Sequence, residues 1–291
     1  MFPSIRIHNV IGDKKMEIMK RRKNRRKMRI LLNIGMCVFA ATFVIGGIIV
    51  GKTLIEDGRA DRSYVEMRQQ MQTIAYQNSV AAESLSVQTE ARDEGENTQS
   101  YVRKESEMDF SVLREISPDT VAWLRSEGSV IDYPVLHTDN NEFYLSHLHT
   151  GEKNRMGSLF VDYRNTGVFT DKNTVIYGHN MKSGAMFHSL SEYKAQDYYD
   201  EFPVMRLYTP DGDYTVELFS GTVEDGNYEF VRFDFEDDAS FMEYVNSFRS
   251  RSTFTSDVVV NPMDQIVTLC TCSYEQNNAR YVVMGRLTQA N

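Results

Sequence analysis

Residues 30–50 form the longest uninterrupted apolar run in the chain, 21 residues without a charge and with Asn33 as their clear polar side chain. A helix rising about 1.5 Å per residue would carry that run across roughly 30 Å, the thickness of a bilayer's hydrocarbon core. From Glu56 to about Leu85 the pattern becomes a polar helix with a thin apolar stripe of Tyr64, Val65, Met67, Met71, Ile74 and Ala75. This predicts a stalk, or the first helix of the domain that follows. Residues 86–107 are polar and poor in apolar side chains, as a linker is. From about Met108 short apolar runs alternate with turn residues, which predicts a β-rich domain over 108–291. A hairpin is expected from residues 204–208 and 214–223 around Thr209-Pro210-Asp211-Gly212-Asp213. Further strands are expected at 132–136, 158–161, 173–177, 265–271 and 281–287. Helices are expected at 184–193, capped by Ser183, and at 237–249, where Phe241, Tyr244, Val245 and Phe248 share one face. About 180 residues of this texture suffice for one barrel or sandwich with its own core.

Charge divides the chain at the apolar run. Residues 1–29 hold eleven Lys and Arg against Asp13 and Glu17, whereas the chain from Lys52 onward holds 21 basic and 39 acidic residues. The basic run from Lys20 to Lys27 abuts the apolar stretch, so the positive-inside rule keeps residues 1–29 in the cytoplasm as a tail. Residues 30–50 are then a plasma-membrane anchor, 51–107 a helical stalk and linker, and 108–291 an extracellular domain. The stretch is too long for a signal-peptide core, and no small-x-small cleavage site follows it. A basic run beside such a stretch argues for a membrane and against nucleic acid, and the acidic remainder argues the same way.

Cysteine is scarce. Cys37 falls in the apolar run, leaving Cys270 and Cys272 in the exported part. Residues i and i+2 of a strand stand roughly 6.5–7 Å apart, too far for an unstrained disulfide, which also weighs against a C-x-C redox pair. A thiol without a disulfide framework outside the cell suggests chemistry, or a host that rarely uses disulfides. Cys272 ends the apolar run from Gln265, and Arg280 opens the run Tyr281-Val282-Val283-Met284. As antiparallel neighbours the two would share a rim, where a cation can stabilise a thiolate or an oxyanion. Spacing alone equally allows a buried cysteine beside a surface arginine. A thiol nucleophile calls for an acid/base partner, usually His. His179 follows a strand end and Gly178, a place like that of Cys272. His147 and His149 form an H-x-H pair without an adequate ligand set, so no metal site is expected; His137 reads as structural, and His188 lies inside an expected helix.

These residues resemble a sortase, most closely of class B. Thr268-Leu269-Cys270-Thr271-Cys272 matches the family's T-L-x-T-C signature, with Arg280 matching its arginine. Ile176-Tyr177-Gly178-His179-Asn180-Met181 matches the histidine signature, and Gly184-Ala185-Met186-Phe187 follows. Ile131-Asp132-Tyr133-Pro134-Val135-Leu136, Gly157-Ser158-Leu159-Phe160 and the helical stretch after Phe233-Asp234-Phe235 are also similar to class B. One departure is Cys270, at a position often Ser in that class; by alternation it shares a face with Cys272, and it is read as a small packing residue.

The resemblance implies a mainly β fold, a closed eight-stranded barrel, on a membrane-anchored enzyme of a Gram-positive cell surface. It implies a cysteine transpeptidase without a cofactor, with Cys272 as nucleophile, His179 as acid/base and Arg280 as anion stabiliser. Its partners would be sorting-signal peptides of secreted proteins and a peptidoglycan-precursor or pilin amine. Asn180, Tyr177, Thr271, Ser273 and Glu275 flank these residues and are candidates for touching substrate. A cysteine hydrolase with the same triad and a non-catalytic surface-binding domain are the alternatives.

Overall fold

Most strands beyond residue 120 bury side chains on both faces, one set towards the barrel interior and the other beneath helices and loops. The computed structural model describes residues 6–89, 106, 108–226, 230–272 and 278–290, with backbone alone at 6–15, 18, 75–89 and 272. Its elements are α1 (Arg6–Thr89), α2 (Phe110–Ile116), β1 (Thr120–Arg125), β2 (Asp132–Leu136), β3 (Leu159–Val161), β4 (Asn173–Tyr177), α3 (Gln196–Glu201), β5 (Val204–Thr209), β6 (Gly212–Glu224), α4 (Asp238–Ser250), β7 (Gln265–Cys272) and β8 (Arg280–Gln289). Short 3-10 helices cover Phe143–Leu145 and His188–Lys194.

The strands form a closed barrel in the order β1-β2-β3-β4-β7-β8-β6-β5, with β5 pairing back onto β1. Among the described residues, β2/β3 and β4/β7 are the parallel pairs. Val267 and Leu269 of β7 join Ile176, Tyr281 and Val283 in the barrel interior. Ile266 and Cys270, on the opposite face of β7, pack with Val175, Val282 and Met284 beneath α4. Both faces are therefore buried, as expected of a central strand with a parallel neighbour. The covering helix α4 begins at a capping box between Asp237 and Ser240 and buries Phe241, Tyr244, Val245 and Phe248.

Three expectations are corrected and one strand is added. The helix expected over 184–193 does not form, because Gly184 and Met186 have φ of 90° and 57°; a 3-10 helix begins only at His188. The hairpin is tighter than expected, since Thr209 pairs with Gly212 and only Pro210 and Asp211 remain in the loop. Strand β1 was hidden from periodicity because Ala122 and Leu124 face the interior while Trp123, on the other face, is buried by helical residues. The expected linker overlaps helix at its start, since α1 continues to Thr89; residues 90–105 and 107 lie outside the described residues.

Packing divides the chain at residue 57, into a unit of Met1–Glu56 and a compact unit of Asp57–Asn291. Within the second unit, Met67 and Met71 of α1 are buried with Phe110, Leu113, Trp123 and Tyr208. Residues 57–74 are thus packed within the folded unit, as the reading of this segment as the domain's first helix expects. Within the first, the side chains of residues 30–50 are all exposed, and α1 contains an 18-residue window of mean hydropathy 2.3. Among the described residues it is the one helix long and apolar enough to cross a membrane.

Candidate active site

Three neighbouring strands bring the candidate residues to one rim. Tyr177 of β4 pairs with Cys270 of β7, and the Gly178 amide donates to the Cys270 carbonyl at 3.1 Å, extending the parallel ladder past the strand end. His179 is the next residue. On the other side of β7, Cys272 pairs directly with Arg280 at the start of β8. The end of β7 therefore lies between His179 and Arg280, with strands spaced about 4.8 Å apart.

His179 is held by backbone. Its Nε2 lies 2.7 Å from the Leu145 carbonyl. A carbonyl can only accept, so Nε2 carries a proton in this arrangement and Nδ1 is the nitrogen left for exchange. Gly157 sits against the same ring: a Cβ there would stand 3.0 Å from His179 Cδ2 and 2.6 Å from the Tyr144 carbonyl oxygen, and its φ is 61°. Gly178 is required for a different reason than a turn. A Cβ on it would reach 2.4 Å from Leu159 and 2.7 Å from Phe187, so the glycine allows close packing beneath the histidine.

Below the rim opens a cleft of about 430 Å³, lined by His179, Tyr177, Cys270, Thr271 and Arg280, with Leu145, Phe160, Tyr163, Arg164 and Asn141 on its other sides. Its apolar wall and convergent polar groups suit an extended peptide. One wall is built on Asp162, which has no exposed surface. Its carboxylate accepts from Arg164 Nε and Nη2 at 2.9 and 2.8 Å, from the Tyr177 hydroxyl at 2.8 Å and from Asn141 Nδ2 at 3.1 Å. Burial alone would raise the Asp162 carboxyl, but the Arg164 and Tyr177 hydrogen bonds outweigh it and hold the group below the usual carboxylate range. The Tyr177 phenol is pushed well up, first by burial and then by the Asp162 charge, so it stays a hydrogen-bond donor. The Arg280 guanidinium donates to the Ala279 and Asn278 carbonyls at 3.2 and 3.4 Å.

Of the candidate substrate contacts, Tyr177 and Thr271 line the cleft. Asn180 does not: it is 9% exposed, donates to Ser191 Oγ at 3.1 Å and pairs with His188 Nδ1 at 2.7 Å. It braces the loop after His179 instead. Ser273 and Glu275 lie outside the described residues. His147 stacks on Phe143 with centroids 4.1 Å apart, and His149 is buried beside Ser63, so the H-x-H pair is used in packing. Among the described residues no group of three or more His, Cys, Asp or Glu could hold a metal. Asn141, Tyr163 and Arg164 were not legible as site residues, because loops carry them to the cleft and no spacing marks them.

The sortase domain family model matches residues 124–288. Sortase B of Listeria monocytogenes is 38% identical over 177 residues, covering 60% of this chain and 72% of the relative. Sortase B of Staphylococcus aureus is 27% identical over 267 residues, 91% of this chain and all of the relative. Among solved structures, the Staphylococcus aureus sortase B–substrate complex superposes with a TM-score of 0.68 at 27% identity, covering 81% of this chain and 100% of the other. A family match over more than half the chain, a shared eight-stranded barrel and relatives of one class agree: the chain belongs to the sortase family as a class B sortase, a cysteine transpeptidase acting on surface proteins.

Proposed function

We propose that this enzyme cleaves a sorting signal of the Asn-Pro-x-Thr-x type and transfers the acyl fragment through a thioester on Cys272. The thiolate attacks the Thr carbonyl, forming the S–C bond; the peptide C–N bond then breaks, and His179 protonates the departing amine. An incoming amine, from a peptidoglycan precursor or a pilin, gives its proton to His179 and displaces the thiolate, forming the new amide. Arg280 steadies the substrate or the oxyanion of each tetrahedral intermediate. Thiolate and imidazolium must coexist for the acyl transfer, which predicts a bell-shaped rate profile.

The observation that supports this reading is the strand order β4-β7-β8, in which the backbone of Cys272, at the end of β7, has the His179 strand end on one side and Arg280 on the other. The similarity to a solved Staphylococcus aureus sortase B–substrate complex supports substrate binding by this barrel. The basic flank of residues 1–29 supports a single-pass anchor through 30–50, with the amino terminus cytoplasmic and the catalytic unit outside the plasma membrane.

The test uses the full chain in detergent micelles with Asn-Pro-x-Thr-x peptides, reading intact mass before and after an amine is added. Wild type is expected to gain the acyl mass and pass it to the amine, and Cys272→Ala to gain nothing. Loss of the adduct to water alone, with amine present, would favour a hydrolase. An alkylatable Cys272 that never acylates would favour a binding domain.

A further inference from the structure

The helix that precedes the barrel reaches the candidate acid/base group through one side chain. Tyr64 is 2% exposed, although it lies on α1 and not on the barrel. Its hydroxyl donates to the Gly157 carbonyl at 2.8 Å and lies 2.9 Å from Ser158 Oγ. The ring is fixed from two sides, edge-on to Tyr133 at 5.1 Å and against His149 at 4.9 Å. Gly157 in turn leaves no room for a side chain between the Tyr144–Leu145 backbone and the His179 ring, where a Cβ would stand 3.0 Å from both the ring and the Leu145 carbonyl oxygen, and the Ser158 amide donates to the Tyr144 carbonyl at 2.9 Å. The Leu145 carbonyl accepts from His179 Nε2. A short chain of contacts thus runs from the Tyr64 hydroxyl through Gly157 to both the ring of His179 and the carbonyl that orients it.

We propose that Tyr64 is a positioning residue for His179, so that the helix before the barrel is part of what sets the transfer rate. The proposal rests on the reading of His179 as acid/base. Without the hydroxyl, the Gly157 carbonyl loses its partner in a buried site, and the segment must shift to find another. A shift there moves Leu145 and frees the imidazole edge, and small displacements of a catalytic group are costly in rate.

The experiment compares Tyr64→Phe with wild type in the full chain, in detergent micelles. Peptide-to-amine transfer is measured alongside the nuclear Overhauser cross-peak between Gly157 Hα and His179 Hδ2, in protein with labelled glycine and histidine. We expect kcat to fall about tenfold with KM within about twofold, and the cross-peak to weaken. Met71→Ala is the control: it trims the same helix's contact with the Trp123 cluster and should leave both readouts near wild type. Unchanged kcat and cross-peak in Tyr64→Phe would overturn the proposal. So would equal losses in Met71→Ala, which would assign the effect to helix docking in general. If wild type itself fails to transfer, the acid/base reading fails, yet the cross-peak still decides whether Tyr64 places the ring.

Discussion

Asp162 ties together the cleft wall, because a carboxylate without solvent must satisfy its charge with protein donors. Arg164, Tyr177 and Asn141 supply them, and all three line the cleft. Replacing Asp162 with Asn keeps the shape but weakens the charge-assisted hydrogen bonds from Arg164, which is itself partly solvated; we expect about 1–3 kcal/mol lower stability at neutral pH, measured by denaturant unfolding. The sign of the pH dependence follows from the depressed carboxyl. Its contribution is present above the ordinary carboxylate pKa and is lost as pH falls through the lower folded value. The gap between wild type and Asp162→Asn should therefore narrow below about pH 4. Gly178 makes a second prediction at this scale. An alanine Cβ would be driven into Leu159 and Phe187, so Gly178→Ala should cost about 1–3 kcal/mol in the same assay and lower transfer by displacing His179. No neighbour in the sequence shows why a glycine is needed at 178; the close approach of two distant side chains, Leu159 and Phe187, is what requires it.

At the scale of elements, α1 docks onto the barrel with a histidine in the joint. His149 is 2% exposed and meets Ser63 Oγ at 2.9 Å. Burial lowers its pKa to about 4, with the Ser63 contact opposing only part of the shift. Since the unfolded chain takes up a proton near pH 6.5 and the folded one does not, this group's full contribution exists above 6.5 and is lost as pH falls towards 4. The loss amounts to about 3 kcal/mol at most. Thermal unfolding followed from pH 7 to pH 4 should show a steeper decline for wild type than for His149→Gln. The elements themselves were unequally legible. Helix α4 announced itself by cap and period, since Asp237 and the spacing of Phe241, Tyr244, Val245 and Phe248 are local features. Strand β1 did not, because helix α2 and residues of α1 cover its outer face and erase the alternation.

For the whole molecule, the apolar stripe on α1 belongs to the compact unit that begins at Asp57. Met67 and Met71 bury the Trp123–Tyr208 side of the barrel, and Arg155 pairs with Asp57 at the start of the compact unit. A chain beginning at residue 57 should melt higher than one beginning at 108, and the shorter chain should bind an apolar dye such as ANS through the uncovered Trp123 face. Equal melting temperatures without dye binding would return residues 57–74 to the role of a stalk.

By itself the sequence determined the apolar run of residues 30–50, most strands, the covering helix and the signatures around His179 and Cys272. Each depends on neighbours a few positions apart, where side-chain period and turn chemistry act directly. Tertiary structure alone decided the cleft, the Asp162 network, the inward bracing by Asn180 and the link from Tyr64 to Gly157. Tyr64 and Gly157 stand 93 positions apart, and no local period encodes a contact made only when the barrel closes and the preceding helix settles on it.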